Sequence, residues 1–99
     1  MANYVLSFRV PADYQPTAET PNEWRAWFGG LGDSLVDVGR AVTDYACAGE
    51  VGGSDSRFVG YSVVSADDLD SALAIAKGCP AMRVGGGVEV GPQLIVPES

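Results

Sequence analysis

The sequence predicts an α+β fold in the ferredoxin-like βαββαβ order, with an antiparallel sheet. Three observations carry that expectation. Stretches that alternate with period two and stretches with helical spacing follow one another as strand, helix, strand, strand, helix, strand. A turn-forming segment, "GEVGGSDS", joins the second and third strands as a hairpin would. The strands carry apolar or aromatic residues on both sides, Val59, Tyr61 and Val63 against Phe58 and Val64, whereas two helices cover only one face. An uncovered apolar sheet face makes a large exposed patch in a monomer, and packing two such sheets together removes it and encloses a cleft.

The first strand is expected over 3–10, where Tyr4, Leu6, Phe8 and Val10 alternate with Val5, Ser7 and Arg9 and Pro11 ends the run. "PADYQPTAET" reads as a polar, proline-containing loop. A helix is expected over 21–38: Thr20 suits an N-cap, Pro21 the first helical position, and Glu23 a capping box. Trp24, Trp27, Phe28, Leu31, Leu35 and Val38 make its apolar stripe, and Gly39 is the natural C-cap. Gly29, Gly30 and Gly32 weaken its middle, each by about 1 kcal/mol against alanine. "RAVTDYACAG" reads as the second strand and "SRFVGYSVV" as the third. Ser65 is expected to cap a second helix with Asp67 and Asp68 in its first turn, where anions are favoured. Leu69, Ala72, Leu73 and Ala76 form its apolar side, Gly78 stops it, and Pro80 prevents a restart. "GVEVGP" is the fourth strand and "QLIVP" a short fifth at the edge.

Ninety-nine residues make one domain, 1–99, whose modest core would gain from pairing with a copy of itself. Thirteen acids against six bases give a net charge of −7 with no basic cluster, which argues against nucleic acid or an anionic membrane as partner. No apolar run approaches a membrane span, and "MANYVLSFRV" lacks the pattern of a secretory signal, so a cytoplasmic protein is expected. Cys47 and Cys79 form no CxxC and no histidine accompanies them; two small buried hydrophobes are expected rather than a disulfide or a metal site. The absence of histidine excludes Ser-His-Asp and Cys-His nucleophilic catalysis, so acid–base chemistry would fall to carboxylates, tyrosines, arginine, cysteine or Lys77.

Each candidate site residue has a structural reading beside the chemical one. Gly85, Gly86 and Gly87 could cradle an anion, but no helix, Lys or Ser/Thr follows as a phosphate loop requires, so a turn with positive φ angles is favoured. Arg83 could bind a carboxylate bidentately or lie on the surface paired with an acid. Glu89 faces opposite to Val88 and Val90; if the valines meet the helices, Glu89 looks into the cleft between facing sheets, as an acid–base group or an ion-pair partner. Trp24, Trp27 and Phe28 could wall a ligand, with core packing the default. Tyr61 and Asp44 are placed by alternation alone. Asp67, Asp68 and Asp70 resemble a metal cluster in text but are better explained by capping.

The stretch "RFVGYSVVSADDLDSALAIAKGCPAMRVGGGVEVGP" resembles the second half of the YCII-related and DGPF-type proteins. Gly60-Tyr61, Asp68-Leu69-Asp70, Ala72, Ala76, Gly78-Cys79-Pro80, Gly86-Gly87 and Val88-Glu89-Val90 carry the likeness. It implies a dimeric α+β barrel, and in that family a His–Asp pair has been suggested to be catalytic. This chain departs where that pair would stand. The histidine position falls near Phe28, the acid near Glu50 or Asp55, and Val84 occupies another place where relatives often carry histidine. "GGSDSR" replaces the DGPF hairpin.

The expectation is therefore a homodimer without cofactor or metal that binds a small organic molecule in a cleft, with Tyr61, Arg83, Trp27 and Phe28 as ligand-binding candidates. Two rivals stand beside it. One is a cofactor-independent enzyme with Glu89 or Asp44 as base and Arg83 or Tyr61 steadying an anion; the other is a purely structural dimerisation module.

Overall fold

A computed structural model of the chain describes residues 2–43, 46–49, 51 and 55–94. Alternation does what it implies in the first strand. β1 (Ala2–Pro11) buries Tyr4, Leu6, Phe8 and Val10 and turns Val5 outward. It lies inside a four-stranded antiparallel sheet of order β2-β3-β1-β4, formed with β2 (Leu35–Ala41), β3 (Ser56–Ala66) and β4 (Gly87–Pro92). Three helices accompany it: α1 (Thr20–Leu31), α2 (Leu69–Ala76) and the single turn α3 (Pro80–Arg83). This α+β arrangement is compatible with a ferredoxin-like split βαβ unit.

The core sits on one side of the sheet. Leu6, Val64, Ala72, Ala76 and Cys79 are fully buried, and Tyr4, Phe8, Val10, Ala66 and Ala81 nearly so. Burying a side chain such as Leu6 is worth about 1.5–3 kcal/mol. Phe8 anchors α1 through its rings: Trp24 and Trp27 meet it edge to face at 4.9 and 5.8 Å between centroids. The helical stripe of Trp24, Trp27, Phe28 and Leu31 is thus half-buried core, as its spacing suggests.

Among the described residues no helix covers the other face of the sheet. Directly opposed residues share a face, so Val5, Ser7, Tyr61, Val63 and Glu89 lie together on the open side. Val5 and Tyr61 are 37% and 39% exposed. A β-bulge changes the grouping expected from alternation. Phe8 pairs with Gly60 but Arg9 with Phe58, leaving Val59 unpaired. Phe58 therefore joins Tyr61 and Val63 on the open face, and Val59 packs against the core on the helix side.

The first helix is shorter than the sequence suggests. It ends at Leu31, a 3₁₀ turn spans Gly32–Ser34, and Leu35 to Ala41 form β2. Gly32 takes φ +55°, leaving the helical region at the point where three glycines have thinned its propensity. Leu35 and Val38 belong to an edge strand, and Gly39 is a close-packed strand residue at φ +70° rather than a helix cap. The second strand accordingly precedes the "RAVTDYACAG" segment for most of its length. Of that segment, Arg40 and Ala41 are in β2 and Asp44 and Tyr45 lie outside the described residues.

Smaller differences have local reasons. Glu19, not Thr20, occupies the cap position of α1, without a side-chain cap; Pro21 sits in the first turn as expected. Thr20 instead ties down the preceding loop, its Oγ1 accepting from the Thr17 amide at 2.9 Å and meeting the Tyr14 hydroxyl at 3.1 Å. β3 continues through Ser65, which pairs with Asn3, and Asp68 caps α2 instead. Pro80 starts a helical turn rather than forbidding one, since its missing N–H costs nothing at the first position. Gln93 and Leu94 are not in a strand, although the Gln93 amide still donates to the Asn3 carbonyl; the rest of the expected fifth strand lies outside the described residues. Among the described residues no helix is long and apolar enough to cross a membrane.

Candidate functional site

The loop after β1 is held by backbone bonds from Ala12 N–H to the Asp55 carbonyl and from Tyr14 N–H to the Pro11 carbonyl, both 3.0 Å. It brings Tyr14 and Pro16 against the start of α1, opposite the bulged end of the β2–β3 edge. Between them is a half-open cavity of about 580 Å³. Phe8 and Val10 form its floor from β1, Trp24 and Phe28 its wall from α1, and Val59 and Val38 the sheet edge. The bulge matters here: it turns Val59 to the helix side and gives the cavity its third apolar wall.

The polar groups stand at the rim and margin. Tyr14, Thr17 and Thr20 form one hydrogen-bonded cluster. Arg57 pairs with Val10 and so shares its face; its Nη2 donates to the Tyr14 carbonyl at 3.2 Å. Ser62 is fully buried with its hydroxyl committed to the Val38 carbonyl at 2.7 Å. Among the described residues no carboxylate, thiol or lysine lines the cavity. The lining is apolar with a polar mouth, the pattern of small-molecule sites.

The candidates from the sequence are dispersed. Phe28 lines the cavity from α1, whereas Tyr61, whose register puts its side chain on the open face, borders it beside Gly39. Trp27 is turned toward α2 and α3, its indole nitrogen beside Gly78. Arg83 is exposed at the far side of α1, with Nη1 4.0 Å from Glu23 Oε2, as the surface-pair reading has it. Val88 and Val90 do meet the helix side, so Glu89 stands exposed on the open face opposite Ser7. It is across the sheet from the cavity. Asp44 lies outside the described residues. Arg57, Tyr14, Thr20 and Val59 were not among the site residues expected from the sequence. An arginine in an alternating strand and a tyrosine in a proline loop carry no local signal, and the bulge exists only in the pairing of two strands.

The glycine turn behaves as a turn. Gly85 adopts φ +84°, and a side chain at Gly86 would overlap the Arg9 carbonyl oxygen. The aspartates after β3 behave as a cap: Asp68 Oδ1 accepts from the Ser71 amide at 2.8 Å, which holds the Asp68 carboxyl below its ordinary pKa. No group of three or more potential metal ligands occurs among the described residues. Replacing Asp68 by alanine is expected to lower thermal stability in a pH-dependent way. A depressed folded-state pKa contributes stability above the ordinary value of 3.8 that is lost as pH falls through the lower one. The melting-temperature gap between wild type and Asp68→Ala should be constant at neutral pH and close in acid. A gap unchanged at low pH would contradict the cap's ionic character.

The cysteines differ from each other. Cys79 is buried and burial pushes its thiol pKa up, so it stays neutral and inert. Cys47 is exposed rather than buried, because it lies in the connection between β2 and β3 instead of in a strand.

Comparison with protein-family models, curated proteins and solved structures finds no match for this chain.

Proposed function

We propose that the chain is a YCII-like protein that binds a small, largely apolar organic molecule between α1 and the sheet. One observation carries the binding reading: a half-open cavity of about 580 Å³, within the range of small-molecule sites, walled by aromatic and aliphatic side chains with polar groups at its mouth. The volume lies on the helix-covered face, so the ligand is assigned there rather than to a cleft between sheets. The open face is assigned to a second copy. Phe58, Tyr61, Val63 and Val5 give it an apolar strip flanked by Arg9 and Glu89, which a two-fold arrangement brings against itself as a dimeric α+β barrel. A cytoplasmic location fits the chain's composition. A mechanism with Glu89 as base is less well supported, since Glu89 and the cavity are on opposite faces of the sheet.

The test uses phenylnaphthylamine, an uncharged aromatic probe whose emission rises in apolar surroundings. Wild-type protein should bind it saturably. Val59→Phe, which fills the cavity from a half-buried position, should weaken binding by about tenfold or more with its circular dichroism unchanged. Equal binding by the variant would overturn the assignment of the site. Sedimentation equilibrium on the same samples should give a dimer; a monomer at micromolar concentration would remove the barrel from the proposal.

A further inference from the structure

We infer that the cavity selects a monoanionic ligand, an apolar aromatic or branched body ending in one carboxylate or an equivalent acid, and that Arg57 receives the acid group. This deepens, and rests on, the reading of the cavity as a binding site.

The chain carries thirteen acids and six bases. Yet the charged residues lining the cavity, among those described, are Arg40 and Arg57, both basic. Arg57 is half-buried, and its position opposite Val10 directs it to the helix side, where the cavity opens. Its one hydrogen bond among the described residues goes from Nη2 to a neutral carbonyl, that of Tyr14. No carboxylate of the described residues forms an ion pair with it. A guanidinium has five N–H donors, so donors are left for a planar acid group. Charge-assisted bonds from a partly desolvated guanidinium are also stronger than neutral ones. The hydrogen bond to Tyr14, and the Tyr14–Thr20 bond beside it, hold the arginine at the rim rather than letting it extend into water. The apolar floor of Phe8 and the wall of Trp24 and Phe28 then accept the body.

Two probes that share one aromatic body separate the possibilities: phenylnaphthylamine, which is neutral, and anilinonaphthalene sulfonate, which is a monoanion. Wild-type protein should bind the sulfonate about tenfold to a hundredfold more tightly, the equivalent of one charge-assisted contact. Arg57→Gln should remove that preference, bringing the two affinities together. Val59→Phe should weaken both probes, which places the sulfonate in the cavity rather than on the open sheet face. Equal affinities of wild type for the two probes would overturn the inference while leaving the cavity reading intact, and this ratio is read whether or not Arg57→Gln folds. Sulfonate binding insensitive to Val59→Phe would overturn it as well. Failure of both probes to bind would remove the cavity reading and the inference together.

Discussion

Valine in place of Gly39 is expected to destabilise the protein by about 3 kcal/mol or more. Gly39 is buried and adopts φ +70°, a conformation that costs a β-branched residue about 1–3 kcal/mol. A Cβ there would also overlap the carbonyl oxygen of Tyr61, a backbone atom that cannot turn aside. Gly39 is further held in this conformation by Asp37, whose Oδ1 accepts from the Gly39 amide at 2.8 Å. Relief requires β2 to move off β3, and among the described residues β2 is an edge strand paired with β3 alone. Against a total of about 5–15 kcal/mol for a small domain, the loss is a large fraction of all there is. Urea unfolding would measure it, and a loss under about 1 kcal/mol would contradict this account of the bulged edge. Gly29→Ala is the natural control. Nothing lies within 4 Å of a Cβ at that helical position, so the same kind of change should stabilise by up to about 1 kcal/mol.

Phe8→Ala should cost about 3–5 kcal/mol, the range for truncating a large buried ring. Phe8 is 3% exposed and is the point where the sheet meets α1. Its removal takes one partner from each of two edge-to-face pairs, with Trp24 and with Trp27. Those tryptophans are themselves only 6.0 Å apart, and both touch Phe28, so the cluster loosens as a unit. The same substitution removes the cavity floor. The expected result is a lower urea midpoint, a red-shifted tryptophan emission and weaker binding of phenylnaphthylamine. An unshifted emission with full stability would mean that α1 is anchored by something other than this ring.

The two results bear on function because the site and the irregular edge adjoin. The cavity is bordered by Gly39 and Val38 on one side and floored by Phe8 on the other. The bulges that make β2 irregular also keep it from lying flat beside β3, and the registers shift on either side of Asp37. Regular pairing of β3 with β1 would set Val59 opposite Arg9 on the open face and take away the cavity's third wall.

Much was legible in the chain before any coordinates. Period two over Tyr4, Leu6, Phe8 and Val10 determined which face of β1 is core, because successive side chains of a strand alternate wherever the backbone is regular. The order of strands and helices, the aromatic stripe from Trp24 to Leu31, and the turn at Gly85 and Gly86 were local properties, and local patterns report them. So did the exclusion of histidine chemistry, which composition alone settles. The end of α1 was not local. Leu35 and Val38 satisfy a helical stripe as well as a strand, and it is the hydrogen bonding of β2 to β3 that decided between them. Nor was the cavity. It depends on the extra residue between Phe8 and Arg9 of the pairing, which turns Val59 inward and Phe58 outward, and on Arg57 standing opposite Val10 within reach of the Tyr14 carbonyl. Alternation along one strand cannot reveal a bulge, because a bulge is a mismatch between two strands; only tertiary pairing creates it, and with it the site.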